Sequence, residues 1–202
     1  MKPVIVFDLG KVLVDFDYSI AAKKIAARSN RQVKNLHDFL GGSPLLVQFE
    51  TGLISKEQFF YDVQRITGFG GSLDDFAGYF ADIFIPITKM VELHDELQKK
   101  KIPTYIFSNT NEIAVGHIRH NFPFFNRFDG YILSFEVGAM KPNPHIYEAL
   151  EKMTGRGGRD IFYIDDRSEN VEAGAARGWQ IVLHETPEKT RAALEEFLSV
   201  QV

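Results

Sequence analysis

Residues 4–11, Val4-Ile5-Val6-Phe7-Asp8-Leu9-Gly10-Lys11, constrain the fold of this chain more than any other stretch. A short apolar run feeds directly into a carboxylate, and a glycine follows two residues later. Such a run bounded by a turn signal reads as a strand buried on both faces of a parallel sheet. Asp8 then falls at the carboxyl end of that strand, the edge where open α/β sheets place their ligands. Taken alone, Asp8 reads equally well as a turn aspartate satisfying backbone amides. Its meaning depends on what other strands bring to the same edge.

After Val12-Leu13-Val14 and Asp15-Phe16-Asp17 the pattern changes. From Tyr18 to about Phe84 apolar residues recur at helical spacing: Ile20, Ala21, Ile25 and Ala26, then Val33, Leu36, Phe39 and Leu40. Gly41-Gly42-Ser43-Pro44 is expected to break the helix, with a further helix over 45–50 stopped by Gly52. Ser55-Lys56-Glu57-Gln58 reads as a capping box opening the helix of Phe59, Phe60, Val63 and Ile66. Leu73, Phe76, Phe80 and Ile83 predict one more. Residues 16–85 therefore read as a small all-helical domain inserted after the first strand, its Phe and Leu stripes forming its own core.

Pro86 marks the return. A helix through Met90 and Leu97 ends in Lys99-Lys100-Lys101, cations suited to a helix C-terminus. The next strand, 103–107, ends in Ser108-Asn109-Thr110 and is followed by a helix carrying His117 and His120 on its surface. Phe122 to Phe128 reads as core filling, 131–133 as a strand, and 134–140 as a loop reaching Lys141-Pro142. Asn143 and Pro144 open a helix. The strand 161–164 ends in Asp165-Asp166, and a helix, a strand over 180–183 and a last helix from about 187 to 198 complete the chain. Strands alternating with helices imply a Rossmann-like, doubly wound parallel sheet formed by residues 1–15 and 86–202.

Composition bounds the function. The 202 residues are 45% hydrophobic with a net charge of −4, so the basic stripe needed for nucleic acid is missing. No apolar run approaches the ~18 residues of a membrane span. The chain has no cysteine, which excludes disulfides, thiolate metal sites and cysteine nucleophiles. The N-terminal apolar run is too short for an export signal, and a cytoplasmic location is expected. Oligomeric state is left open.

Three strands thus end in Asp8, Ser108-Asn109 and Asp165-Asp166, with Lys141 opening a helix between the last two. On a parallel sheet these groups converge. Several carboxylates in one crevice repel unless a cation neutralises them, and Mg²⁺ suits oxygen-only donors together with phosphate. A lysine and a hydroxyl can hold further phosphate oxygens, which leaves a carboxylate facing phosphorus as a nucleophile.

In this order the motifs resemble those of the haloacid dehalogenase (HAD) superfamily, and the helical insertion resembles its C1-type cap. Asp8-Leu9-Gly10-Lys11-Val12-Leu13 matches motif one, Ser108-Asn109-Thr110 motif two, Lys141-Pro142 motif three, and Asp165-Asp166 with Asn170 motif four. Glu50-Thr51-Gly52-Leu53-Ile54-Ser55-Lys56-Glu57 is similar to a pattern of the sugar-phosphatase-like branch. The resemblance implies Asp8 as nucleophile and metal ligand, and the Gly10 carbonyl, Asp165 and Asp166 as further ligands, Asp166 directly and Asp165 directly or through water. It implies Asn170 as the residue orienting that pair, Ser108 and the Asn109 amide as phosphate binders, and Lys141 as partner of both phosphate and Asp8.

One position departs from the pattern. Most HAD phosphatases carry an acid–base aspartate two residues after the nucleophile, where this chain has Gly10. Three readings follow. The first is an Mg²⁺-dependent phosphatase of a small phosphorylated metabolite such as a sugar phosphate. It resembles the branch that includes α-glucose-1-phosphate phosphatase, with Asp15, Asp17 or His37 as candidates to replace the acid. The second is a non-catalytic phosphate-ligand-binding or regulatory protein. The third is a dehalogenase, which needs no metal and so leaves the Asp165-Asp166 pair without a purpose. The phosphatase reading ranks first and the dehalogenase last.

Overall fold

The computed structural model describes residues 2–200. In chain order the elements are β1 (Val4–Phe7), β2 (Val14–Phe16), α1 (Tyr18–Ala26), α2 (Leu36–Gly42), α3 (Pro44–Glu50), α4 (Lys56–Thr67) and α5 (Leu73–Ala81). There follow β3 (Phe84–Pro86), α6 (Thr88–Lys99), β4 (Thr104–Ser108), α7 (Glu112–Asn121), β5 (Gly130–Leu133) and α8 (Ser134–Val137). The chain closes with α9 (Pro144–Thr154), β6 (Ile161–Asp165), α10 (Ser168–Ala176), β7 (Gln180–Leu183) and α11 (Pro187–Val200).

Five strands form one parallel sheet in the order β5-β4-β1-β6-β7. β1 is apolar throughout because both of its faces are covered. Ile5 and Phe7 pack with Met90, Leu93 and Leu97 of α6 and Leu194 of α11. Val4 and Val6 point the other way, against Ile146, Tyr147 and Leu150 of α9 and Trp179. This alternation is the two-residue period of a strand, with each face clad by helices. The register pairs Phe7 with Ile106 on one side and Ile164 on the other, so β1, β4 and β6 end level with one another. The chain runs outward from β1 to β5 and then returns to β6 beside β1. That reversal opens the sheet's carboxyl edge at Asp8.

The five helices between β2 and β3 have their own core, in which Phe59 stacks on Phe49 at 4.6 Å and Phe76 on Phe80 at 5.7 Å. Both chain connections to this layer run through a two-stranded antiparallel ribbon, Val14 opposite Pro86 and Phe16 opposite Phe84. The sequence reading has no such ribbon.

Other local expectations are corrected. Gly41 and Gly42 lie inside α2, and the break falls at Ser43, whose hydroxyl accepts from the Leu46 amide to start α3. Val33 precedes the helix it was assigned to. At Ser55 only half a capping box exists, because the Gln58 side chain turns away to Asp62, 2.8 Å distant. The reciprocal box forms instead at Ser72 and Asp75. The expected loop 134–140 begins with the single helical turn α8. His117 is half-buried, its ring against Phe84 and Phe122. Among the described residues no helix is long and apolar enough to cross a membrane.

Candidate active site

Asp8 leaves β1 with its amide donating to the Ile164 carbonyl (2.8 Å), and its Oδ1 accepts from the Leu9 amide at 2.7 Å. The carboxylate is thus held by its own turn. Lys141, which precedes α9, reaches under it. Its buried Nζ lies 3.0 Å from Asp8 Oδ1 and 2.6 Å from Asp165 Oδ2, and donates to the Phe107 carbonyl at 2.8 Å. All three ammonium donors are therefore used. Burial pulls the Lys141 amine down, and its pairing with Asp8 and Asp165 more than offsets that, leaving it above the ordinary lysine value.

The sequence reading assigned Asn109 a backbone role, and the structure adds one for its side chain. Asn109 Oδ1 accepts from the Lys141 amide (2.7 Å) and its Nδ2 donates to the Lys141 carbonyl (3.0 Å). The loop after β4 thereby fixes the main chain of Lys141. The same loop is braced by Ser134, whose hydroxyl accepts from the Thr110 amide at 2.9 Å. Ser108 is buried, its hydroxyl donating to the Asn109 carbonyl at 3.3 Å.

Asp165 and Asp166 are adjacent in sequence and differ in setting. Asp165 is fully buried and accepts from four groups. Arg167 N (2.9 Å) and Asn170 Nδ2 (3.0 Å) meet Oδ1, while Lys141 and the Tyr163 hydroxyl meet Oδ2. Burial pushes this carboxyl up, and Lys141 with the other donors outweighs it, so Asp165 sits below the ordinary aspartate value. Asn170 Nδ2 donates to both oxygens of Asp165, at 3.0 and 3.2 Å. Asp166 is half-buried and lines the cavity above Asp8, and burial followed by the Asp165 charge raises it. Asp8 itself is pushed up to about 7, chiefly by burial, with Lys141 pulling it down and Asp165 adding to the rise.

Asp8, Asp165 and Asp166 each offer one carboxylate oxygen within 4.8 Å of the others, the only such group of potential ligands among the described residues. Oxygen donors alone, gathered around one lysine, fit a hard divalent cation such as Mg²⁺ better than zinc or copper. The cavity over them is about 260 Å³. Asp8, Asn109, Lys141 and Asp166 line it from the sheet edge, and Tyr18 and Glu50 from the helical layer.

At Gly10 the missing side chain has a physical cause. A Cβ there would lie 2.8 Å from Cε1 of Phe16, the last residue of β2. The three candidate replacements are engaged elsewhere. Asp15 pairs with Lys11 and accepts from the Phe16 amide, Asp17 caps α1 through Ser19, and His37 is exposed beside Asp38. None of the three lines the cavity.

With that geometry in place, residues 2–178 match the haloacid dehalogenase-like hydrolase family. The chain belongs to this family. Among curated proteins, this hydrolase is 26% identical over 184 residues to the sesquiterpene phosphatase astK of Aspergillus oryzae, covering 90% of this chain and 88% of that one. It is 22% identical over 187 residues to a D-ribitol-5-phosphate phosphatase of Bacteroides thetaiotaomicron, covering 87% and 88%. Among solved structures it superposes on a HAD family enzyme of B. thetaiotaomicron, crystallised with magnesium and inorganic phosphate, with a TM-score of 0.80 at 23% identity over 90% and 93% of the two chains. The L-2-haloacid dehalogenase of Xanthobacter autotrophicus shares the fold at a TM-score of 0.64, 18% identity, and coverage of 90% and 76%.

The sequence reading missed Tyr163, Ser134, Asn111, Tyr18 and Glu50. Glu50 stands in the sequence only as the first residue of the Glu50–Glu57 pattern, with no role given to its side chain; a further sign is that a carboxylate in the last turn of a helix faces the negative end of the helix dipole and needs a compensating partner.

Proposed function

We propose that this hydrolase is an Mg²⁺-dependent phosphatase of a small phosphorylated metabolite, with Asp8 as nucleophile. The observation that carries this reading is the juxtaposition of Asp8, Asp165 and Asp166 within 4.8 Å around the buried Lys141 ammonium. The two curated relatives described above are phosphatases, which supports the same reaction class here.

Asp8, the Gly10 carbonyl and Asp166 would hold the cation. Asp165, already saturated by four donors, would act through water or as a brace. When bound, Mg²⁺ neutralises the clustered carboxylates and the phosphate oxygens, and it keeps Asp8 ionised against the effect of burial. Asp8 Oδ attacks phosphorus, the bond to the leaving oxygen breaks, and an aspartyl-phosphate forms. Ser108 Oγ and the Asn109 amide hold the phosphoryl oxygens, and Lys141 balances the charge gathered on Asp8. Water then attacks phosphorus and returns the Asp8 carboxylate. Residues 16–85 act as a cap: their helices close the cavity, exclude water and set the substrate class. A cavity of about 260 Å³ admits a sugar-phosphate-sized molecule, our preferred class.

The test is phosphate release from p-nitrophenyl phosphate and a panel of sugar phosphates, with and without Mg²⁺, beside Asp8→Asn. Release that requires Mg²⁺ and disappears in the variant is expected. Phosphate binding without turnover on any substrate would instead support the non-catalytic reading that Gly10 favours.

A further inference from the structure

The geometry points to Glu50, on the helical layer, as the proton donor to the leaving group and the base for the attacking water, taking the place left vacant at Gly10. This rests on the reading of Asp8 as nucleophile and names the residue that completes it.

Glu50 is the last residue of α3 and the one carboxylate that the helical layer contributes to the cavity over Asp8. Its own neighbour Asn111 and the turn that follows α3 place it there. The side chain of Asn111 neighbours its carboxylate and favours the charged form, while Asn111 Oδ1 caps α7 by accepting from the Ala114 amide at 3.0 Å. Asn111 continues the loop Ser108-Asn109-Thr110, so the residue neighbouring Glu50 belongs to the segment assigned to the phosphate. Two residues on, Gly52 adopts φ +68° and passes so close to the Phe135 carbonyl that a Cβ would lie 2.2 Å from it. The turn after α3 is thereby seated on α8, and a further tie joins the Lys56 amide to Glu112 at 2.9 Å. Glu50 thus meets the cavity from the side opposite the sheet edge, while the Phe16 ring fills the place of an aspartate at position 10.

The protonation state agrees with the geometry. Burial pushes the Glu50 carboxyl up to about 7, with the Asn111 hydrogen bond pulling the other way. A group half-protonated near neutrality can give a proton in one step and take it back in the next. The groups facing it are the Tyr18 phenol of α1, itself raised by burial and by the Glu50 charge, and, across the cavity, Lys11, Asp8, Lys141, Asp166 and Arg167.

The proton balance closes. As Asp8 Oδ bonds to phosphorus and the P–O bond breaks, the Glu50 proton passes to the leaving oxygen, giving the alcohol and a Glu50 carboxylate. Glu50 then removes a proton from water as its oxygen attacks phosphorus, releasing hydrogen phosphate and restoring both Asp8 carboxylate and Glu50 acid.

The experiment compares single-turnover release from phenyl phosphate, whose leaving group needs a proton, and p-nitrophenyl phosphate, whose leaving group does not. Glu50→Gln is expected to slow phenol release by about 10²–10⁴-fold and nitrophenol release by less than ~10-fold. Glu50→Asp, which keeps a carboxyl, should recover part of the phenyl phosphate rate. The fall in phenol release as pH rises past about 7 should vanish in Glu50→Gln. Equal losses on both substrates, or none on either, would overturn the assignment while leaving Asp8 chemistry intact. A parent protein that releases neither phenol with Mg²⁺ present would sink the phosphatase reading itself, and the Glu50 role with it.

Discussion

Substituting Gly10→Asp restores the residue that most HAD phosphatases carry, and the structure says that it will not restore their chemistry. The new Cβ would lie 2.8 Å from Phe16 Cε1, inside the closest approach of real carbon atoms. Phe16 cannot swing freely, because its ring packs edge-on to Tyr18 at 5.6 Å and tilted to Phe84 at 5.8 Å, with the Lys11 ammonium 4.6 Å from its centroid. Forcing atoms into a filled site costs about 1–3 kcal/mol, so urea unfolding should show Gly10→Asp less stable by that amount. Phe16→Ala makes the room. The double variant should therefore be more stable than the sum of the two single changes predicts, by about 1–3 kcal/mol. On phenyl phosphate, Gly10→Asp should gain less than ~10-fold, since Glu50 already serves the leaving group. Additive stabilities in the cycle would refute the steric argument. A gain of more than ~10²-fold on phenyl phosphate alone would show that the acid was absent.

Three further outcomes are expected. Lys141→Met leaves Asp8 and Asp165 buried without their cation and should cost about 3–5 kcal/mol in urea unfolding without Mg²⁺; a loss under ~1 kcal/mol would contradict the pairing. His94 is buried, bonded to Thr104 Oγ1 and stacked 3.9 Å from Phe128; burial, then Arg127, lowers it from 6.5 to about 4. The folded state then binds fewer protons than the unfolded one, so as pH falls from about 6.5 to 4 the protein should lose about 3 kcal/mol that His94→Leu does not lose. Gly52→Ala combines a positive φ with a collision against the Phe135 carbonyl, and should lower the melting temperature and, by displacing α3, weaken phenyl phosphate more than p-nitrophenyl phosphate.

Much of this arrangement was legible because the sheet ends its strands in chemistry. The runs before Asp8, Ser108 and Asp165 are short, apolar and buried on both faces, and those features survive in a linear sequence. The ribbon of β2 and β3 was not legible: each strand has three residues, Asp15 and Ile85 are exposed, and Pro86 occupies one end. Such strands carry no alternation to detect. Gly41 and Gly42 signal a break by propensity, yet the hydroxyl of Ser43 decides where the next helix starts. The carboxylates of the sheet edge were found by their position after strands. Glu50 ends a helix in another layer, and only the folded chain brings this helix end to the cavity over Asp8. The clasp of Asn109 on the Lys141 main chain spans 32 residues and has no local signature either.

The ribbon has a consequence for how this molecule can change. Val14 faces Pro86 and Phe16 faces Phe84, so the chain departs from the sheet and comes back one strand spacing apart. Whatever joins two such neighbouring points is held to the sheet by the same pair of short strands, and doubling its length adds only about 0.6 kcal/mol of closure entropy. Residues 17–83 are in that sense a graftable cassette. An exchange there would leave Asp8, Lys141 and Asp165 in register while replacing Tyr18, Glu50 and the roof of the cavity together. On the reading developed above, the nucleophile is an heirloom of the sheet, and the proton that frees its product arrives with the graft.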